Sequence, residues 1–133
     1  METVIIAGFL AILFLFFVQY ISKTAGLFDL IIGYLVGFSA LVHLLLGLSG
    51  SGNLLFVLNG LGFIGILGAI YLPLGFLDPF RRIAKIGLVV YSAITICAFI
   101  LDHGFHFDLL SGLTALAEVG IIILALLKIR GQN

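Results

Sequence analysis

Charge is scarce in this 133-residue chain: 9% of residues are Asp, Glu, Lys or Arg, against 63% hydrophobic. A soluble domain carries about a quarter charged residues, so an ordinary soluble domain is excluded. The six basic and six acidic residues cancel, and no basic cluster is large enough to point to nucleic acid. A single cysteine, Cys97, rules out an intramolecular disulfide, and its apolar neighbours predict a buried thiol. Tryptophan is absent. So are GxSxG, HExxH, P-loop, CxxC and CxxCH patterns. Serine or metal hydrolysis, nucleotide-driven work and thiol–disulfide exchange therefore lack support, and no enzymatic activity is expected.

What the chain has instead is five long apolar segments, at about 4–21, 27–48, 54–74, 83–101 and 109–127. A hydrocarbon core of about 30 Å needs roughly 20 apolar residues per helix. Five such helices use most of the chain and leave only short connectors. The segments are continuously apolar rather than alternating with period two, which favours helices over a barrel. The basic residues are ordered. Lys23 lies between the first two segments, Arg81, Arg82 and Lys85 at the junction of the third and fourth, and Lys128 and Arg130 after the fifth. The second and fourth connectors have none. Lys and Arg stay on the cytoplasmic side during insertion. The expected fold class is therefore all-α: one integral membrane bundle of five transmembrane helices, amino terminus out and carboxyl terminus in, multi-pass in the plasma membrane. The leading Met1-Glu2-Thr3 is acidic and its apolar run long, so the first segment reads as a retained span rather than a signal peptide.

Punctuation supports the same division. Residues 22–26 and 49–53 break the first three segments apart, and Pro73 is placed to kink or end the third. Asp78-Pro79 reads as the start of the fourth helix, with Asp78 as cap and Pro79 in its first turn; Asp108 is placed to cap the fifth. Gly33 with Gly37, and Gly65 with Ala69, have the spacing that lets helix backbones approach closely. Those faces pack within the bundle or against another subunit, and the sequence does not choose between them.

Few polar residues reach membrane depth. His43 lies five residues before the end of the second segment, roughly 7–8 Å inside it, with Ser39, Ala40 and Gly47 on its face. Asn59, Thr95 and Glu118 reach comparable or greater depth in the third, fourth and fifth, so the four are placed to meet. Three readings of His43 stand: a hydrogen bond to a neighbouring helix, an axial ligand to haem, or one to a chlorophyll-type pigment. No second histidine lies inside a span for a bis-His haem. An ionised Glu118 at that depth costs a few kcal/mol or more, so it is expected protonated or paired. It reads as a proton or cation relay, a ligand partner or a structural clamp. In the connector 102–108, Asp102, His103 and His106 form a weak candidate for a divalent metal, or else a solvated loop. Asp78, Arg81, Arg82 and Lys85 read as a topology signal with local ion pairing, or as a dock for an acidic partner or anionic lipid.

The stretches His43–Gly47 and Phe56–Phe63, with Arg81-Arg82 and Tyr91-Ser92-Ala93, resemble small multi-span proteins of unknown function from archaea and bacteria. The resemblance covers about half the chain and implies a natural four- or five-span module, with no activity attached. The leading expectation is a non-catalytic accessory subunit of a larger, energy-transducing membrane complex, contacting lipid, pigment or haem. Its partners would be membrane lipids and other subunits or further copies of itself. The alternative is a homo-oligomeric transporter or channel coupled to protons or cations through Glu118.

Overall fold

The computed structural model describes residues 2–21, 23, 25–49, 53–104 and 108–131. They form five α-helices: α1 (Glu2–Ile21), α2 (Leu27–Leu48), α3 (Leu54–Tyr71), α4 (Arg81–His103) and α5 (Leu109–Arg130). A short 3-10 turn, Gly75–Phe80, precedes α4. No strand occurs among the described residues. Four helices are long and apolar enough to cross a membrane, the turn Gly75–Phe80 counting with α4; α1 adds a shorter described apolar run, Gly8–Tyr20.

The helix ends follow local chemistry. Asn53 caps α3, its side-chain oxygen accepting from Leu55 N at 3.0 Å, and Asp108 caps α5 through Ser111 N at 2.8 Å. Pro73 ends α3 rather than kinking it. Leu72, the residue before it, is extended (ψ 132°), the conformation proline imposes on its predecessor. Asp78 does not cap α4, contrary to expectation. It lies with Pro79 inside the 3-10 turn, and its carboxylate accepts from Arg81 Nε at 2.9 Å. Arg81 also donates to the carbonyls of Ile70 (3.1 Å) and Leu72 (3.2 Å), satisfying oxygens that the end of α3 leaves without helical partners.

Helices α2, α3, α4 and α5 pack each against the next, and α5 returns to α2, closing a four-helix ring; α1 packs chiefly against α2. The core holds Val36, Ala40, Phe63, Leu67, Leu88 and Ile121. The outer surface is also apolar, with Phe9, Phe16, Ile94, Leu116 and many others exposed. Cys97 belongs to that exposed surface, not to the core. Buried polar groups (Ser39, His43, Ser92, Thr114, Glu118) lie inside instead. Polar groups inside and hydrocarbon outside is the distribution of a bundle whose surroundings are themselves apolar.

Glycines set the helix spacing. Gly33 and Gly37 receive Val18 and Phe14 of α1 at 3.7 and 3.3 Å from where a Cβ would stand. Gly60 brings α3 close onto α2: a Cβ there would lie 2.7 Å from the Ala40 carbonyl and 2.6 Å from Leu44 Cγ. Gly65, by contrast, faces open space. Gly60→Ala is expected to push α3 off α2 and cost about 2 kcal/mol. Gly65→Ala should stay within about 0.5 kcal/mol of the parent. Unfolding in mild detergent measures both.

Candidate functional site: a buried carboxyl–imidazole pair

The two helices that close the ring, α2 and α5, bring the candidate site together. Ser39 and His43 stand one turn apart on the buried face of α2. Glu118 lies on the buried face of α5, one turn from Thr114 and Ile121. Ser39 Oγ donates to Glu118 Oε1 at 2.8 Å. The Ser39 carbonyl lies 2.7 Å from His43 Nδ1. The other ring nitrogen, Nε2, faces Glu118 Oε1 at 3.9 Å. One serine thus holds both partners, the carboxyl through its side chain and the imidazole through its backbone. Glu118 is 2% exposed and His43 6%. The imidazole lies near the rings of Phe56 and Phe63, at centroid distances of 5.9 and 6.0 Å.

This geometry fixes where a proton can sit. A carbonyl only accepts, so Nδ1 carries hydrogen and donates to Ser39 O. In the neutral imidazole Nε2 then presents a lone pair toward Glu118. A proton on the carboxyl can be given to Nε2 once the 3.9 Å gap closes by less than 1 Å into hydrogen-bond range. A proton on Nε2 instead makes an imidazolium–carboxylate pair across the same gap. In either form the Ser39 hydroxyl donates to Glu118. The group can exist as acid plus base or as ion pair, with one proton between them.

Asn59 and Thr95 do not join this pair. Thr95 Oγ1 donates to Tyr91 O at 2.9 Å and reaches Asn59 Oδ1 at 3.3 Å. The Tyr91 hydroxyl donates to the Asn59 carbonyl at 3.2 Å. They form a seam between α3 and α4; Phe63, beside the His43 ring, packs edge-on against Tyr91 with centroids 5.0 Å apart. The expected four-way meeting is therefore two separate pairs. Thr114 turns back to its own helix at the Leu110 carbonyl. Of the candidate metal residues, His106 lies outside the described residues, and Asp102 and His103 are described only as backbone in the last turn of α4. Among the described residues no three His, Cys, Asp or Glu come together as a metal site.

A second polar cluster, which the sequence reading missed, lies at the other end of the ring. Asp29 of α2 forms an ion pair with Lys128 of α5. The Tyr71 hydroxyl at the end of α3 lies 3.1 Å from both the carbonyl and a carboxylate oxygen of Asp29. Lys85 of α4 lines the same water-sized cavity, about 10 Å³, as Tyr71 and Lys128. All four ring helices contribute. The signal was available: an acid in the first turn of the second segment and a base in the last turn of the fifth fall on the same predicted side.

Ser92 is fully buried on α4, and its hydroxyl has no hydrogen-bond partner among the described residues. Burying an unpaired hydroxyl costs about 1–3 kcal/mol by protein mutational measures. Ser92→Ala is therefore expected to raise stability by about 1 kcal/mol, read from the unfolding midpoint.

No protein-family model, curated protein or solved structure matches the chain. Any functional reading rests on the arrangement of its own residues.

Proposed function

We propose that this chain is a five-span protein of the cell membrane, amino terminus out and carboxyl terminus in, that passes protons through the Glu118–His43 pair. The reaction class is proton- or proton-coupled cation transport. In this orientation Asp29, Lys128 and the basic residues around Arg81 lie at the cytoplasmic end, as retention of Lys and Arg inside favours. Glu118 stands nine residues into α5, roughly 14 Å along its axis and so near the bilayer midplane. Ionisable groups at that depth are costly, and they commonly mark proton pathways or cation sites.

The observation that carries the reading is the Ser39–Glu118–His43 arrangement. A carboxyl and an imidazole lone pair face each other inside an apolar bundle, with the serine holding both. A purely structural clamp needs one donor and one acceptor; here two titratable groups face each other 3.9 Å apart, less than 1 Å from the range in which a proton passes between them. The leading expectation from the sequence was instead an accessory subunit that contacts haem or pigment through His43. That role needs a ring nitrogen turned toward a macrocycle. Nδ1 is committed to Ser39, and Nε2 looks onto Glu118, so proton holding accounts for the geometry better.

The test is proton flux into proteoliposomes carrying the purified chain, driven by an imposed pH gradient and read by an entrapped dye. Flux above that of protein-free vesicles is expected. Equal flux in the two would overturn the reading.

A further inference from the structure

One large feature has no part in the proton site. Between α1 and the second half of α3 runs an open apolar groove of about 560 Å³. It exists because both helices lean on α2, and because Gly65, Gly68 and Ala69 thin α3 along its floor. Phe14, Phe17 and Phe76 contribute to its walls. Nothing approaches within 4 Å of where a Gly65 Cβ would stand, so the floor is unfilled. The single lining residue with a polar tip, Tyr71, directs its hydroxyl to Asp29.

The end of the groove is chemically different. Its lining includes Val18, near the end of α1, and Leu77 of the 3-10 turn. The chain that follows each carries cations. Lys23 comes five residues after Val18 and is exposed. Arg82 comes five residues after Leu77 and is also exposed. The groove is thus greasy along its length, and its Val18 and Leu77 end lies toward the end of the bundle that carries the exposed Lys23 and Arg82.

We propose that this groove binds an anionic phospholipid, one acyl chain lying over Gly65 and Gly68 and the phosphate meeting the basic mouth at Lys23 and Arg82. An acyl chain suits a groove with no free hydrogen-bonding group, and a negative headgroup suits its rim. Each cation near the membrane surface favours an anionic lipid by about 1 kcal/mol, or roughly five-fold.

The experiment uses the full chain, purified in mild detergent, stripped of lipid, and incubated with phosphatidylglycerol or phosphatidylcholine before native mass spectrometry. Retention of phosphatidylglycerol over phosphatidylcholine by about five-fold or more is expected. Gly65→Phe, which puts a ring into the space left open at Gly65, should abolish retention, and its unfolding midpoint, measured alongside, should stay in place. Lys23→Gln should lower the preference by roughly five-fold without emptying the groove. Equal binding of the two lipids would overturn the proposal, as would undiminished retention in Gly65→Phe. So would a change of oligomeric state in Gly65→Phe with lipid binding unaltered, because the groove would then seat a second copy of this chain. None of these outcomes depends on proton flux.

Discussion

Replacing Asp29 by Ala is expected to cost about 3 kcal/mol of stability. The carboxylate is mostly buried and paired with Lys128, whose own side chain is four-fifths covered. Removing one partner of a buried pair leaves the other charge uncompensated, which typically costs 3–5 kcal/mol; the residual exposure here places the effect at the lower end. Two further contacts go with it. The Tyr71 hydroxyl loses a carboxylate acceptor, and the ammonium groups of Lys85 and Lys128 are left around one small cavity with less negative charge nearby. The double variant Asp29→Leu, Lys128→Met should recover all but about 1 kcal/mol, because a pair replaced by hydrophobic residues leaves no stranded charge. Reversible unfolding in mixed detergent micelles measures both. If the single variant matches the parent, the ion pair does not close the end of the ring.

Glu118→Gln should have the largest effect on function with little effect on the fold. Glutamine keeps the shape and an oxygen to accept from Ser39, so the contact at 2.8 Å can persist. What it loses is the ability to give up or take a proton at the position facing His43 Nε2. Flux in proteoliposomes is expected to fall to that of protein-free vesicles. Ser92→Ala, buried elsewhere in the core and outside the proton-holding group, should retain parental flux and serve as the control. Undiminished flux in Glu118→Gln would remove this carboxyl from the path.

The fold was largely legible because membrane-length helices announce themselves by continuous apolar runs. The second and fifth helices begin at Leu27 and Leu109 as expected, and the second ends at Leu48. Pro73 and Asp108 did what their chemistry predicts. Asp78 did not, since a guanidinium three residues on offered its carboxylate a better partner than bare amides. The packing order was not legible. Five segments of similar hydropathy do not say which four close a ring, and α1 stays outside it.

The site was legible in part for the same reason. Depth along each helix predicted that His43 and Glu118 would be neighbours, and they are. Depth says nothing of azimuth, so Asn59 and Thr95, at compatible heights, turned out to face one another across the α3–α4 seam. Ser39 entered the reading as a small neighbour of His43, yet its hydroxyl is what ties α2 to Glu118. Asp29, in the first turn of the second segment, received no reading of its own, and Lys128 read as a marker of topology; tertiary structure joins these residues, 99 apart, into one contact.

The central claim is that a single proton resides between the carboxyl of Glu118 and the imidazole of His43. Infrared difference spectroscopy on the protein in lipid, titrated through its pH range, tests this directly. A carboxylic-acid carbonyl band that appears and disappears with pH, is absent in Glu118→Gln, and moves in His43→Phe is the predicted result. A spectrum with no titrating band assignable to Glu118, or one indifferent to the loss of the imidazole, would contradict it.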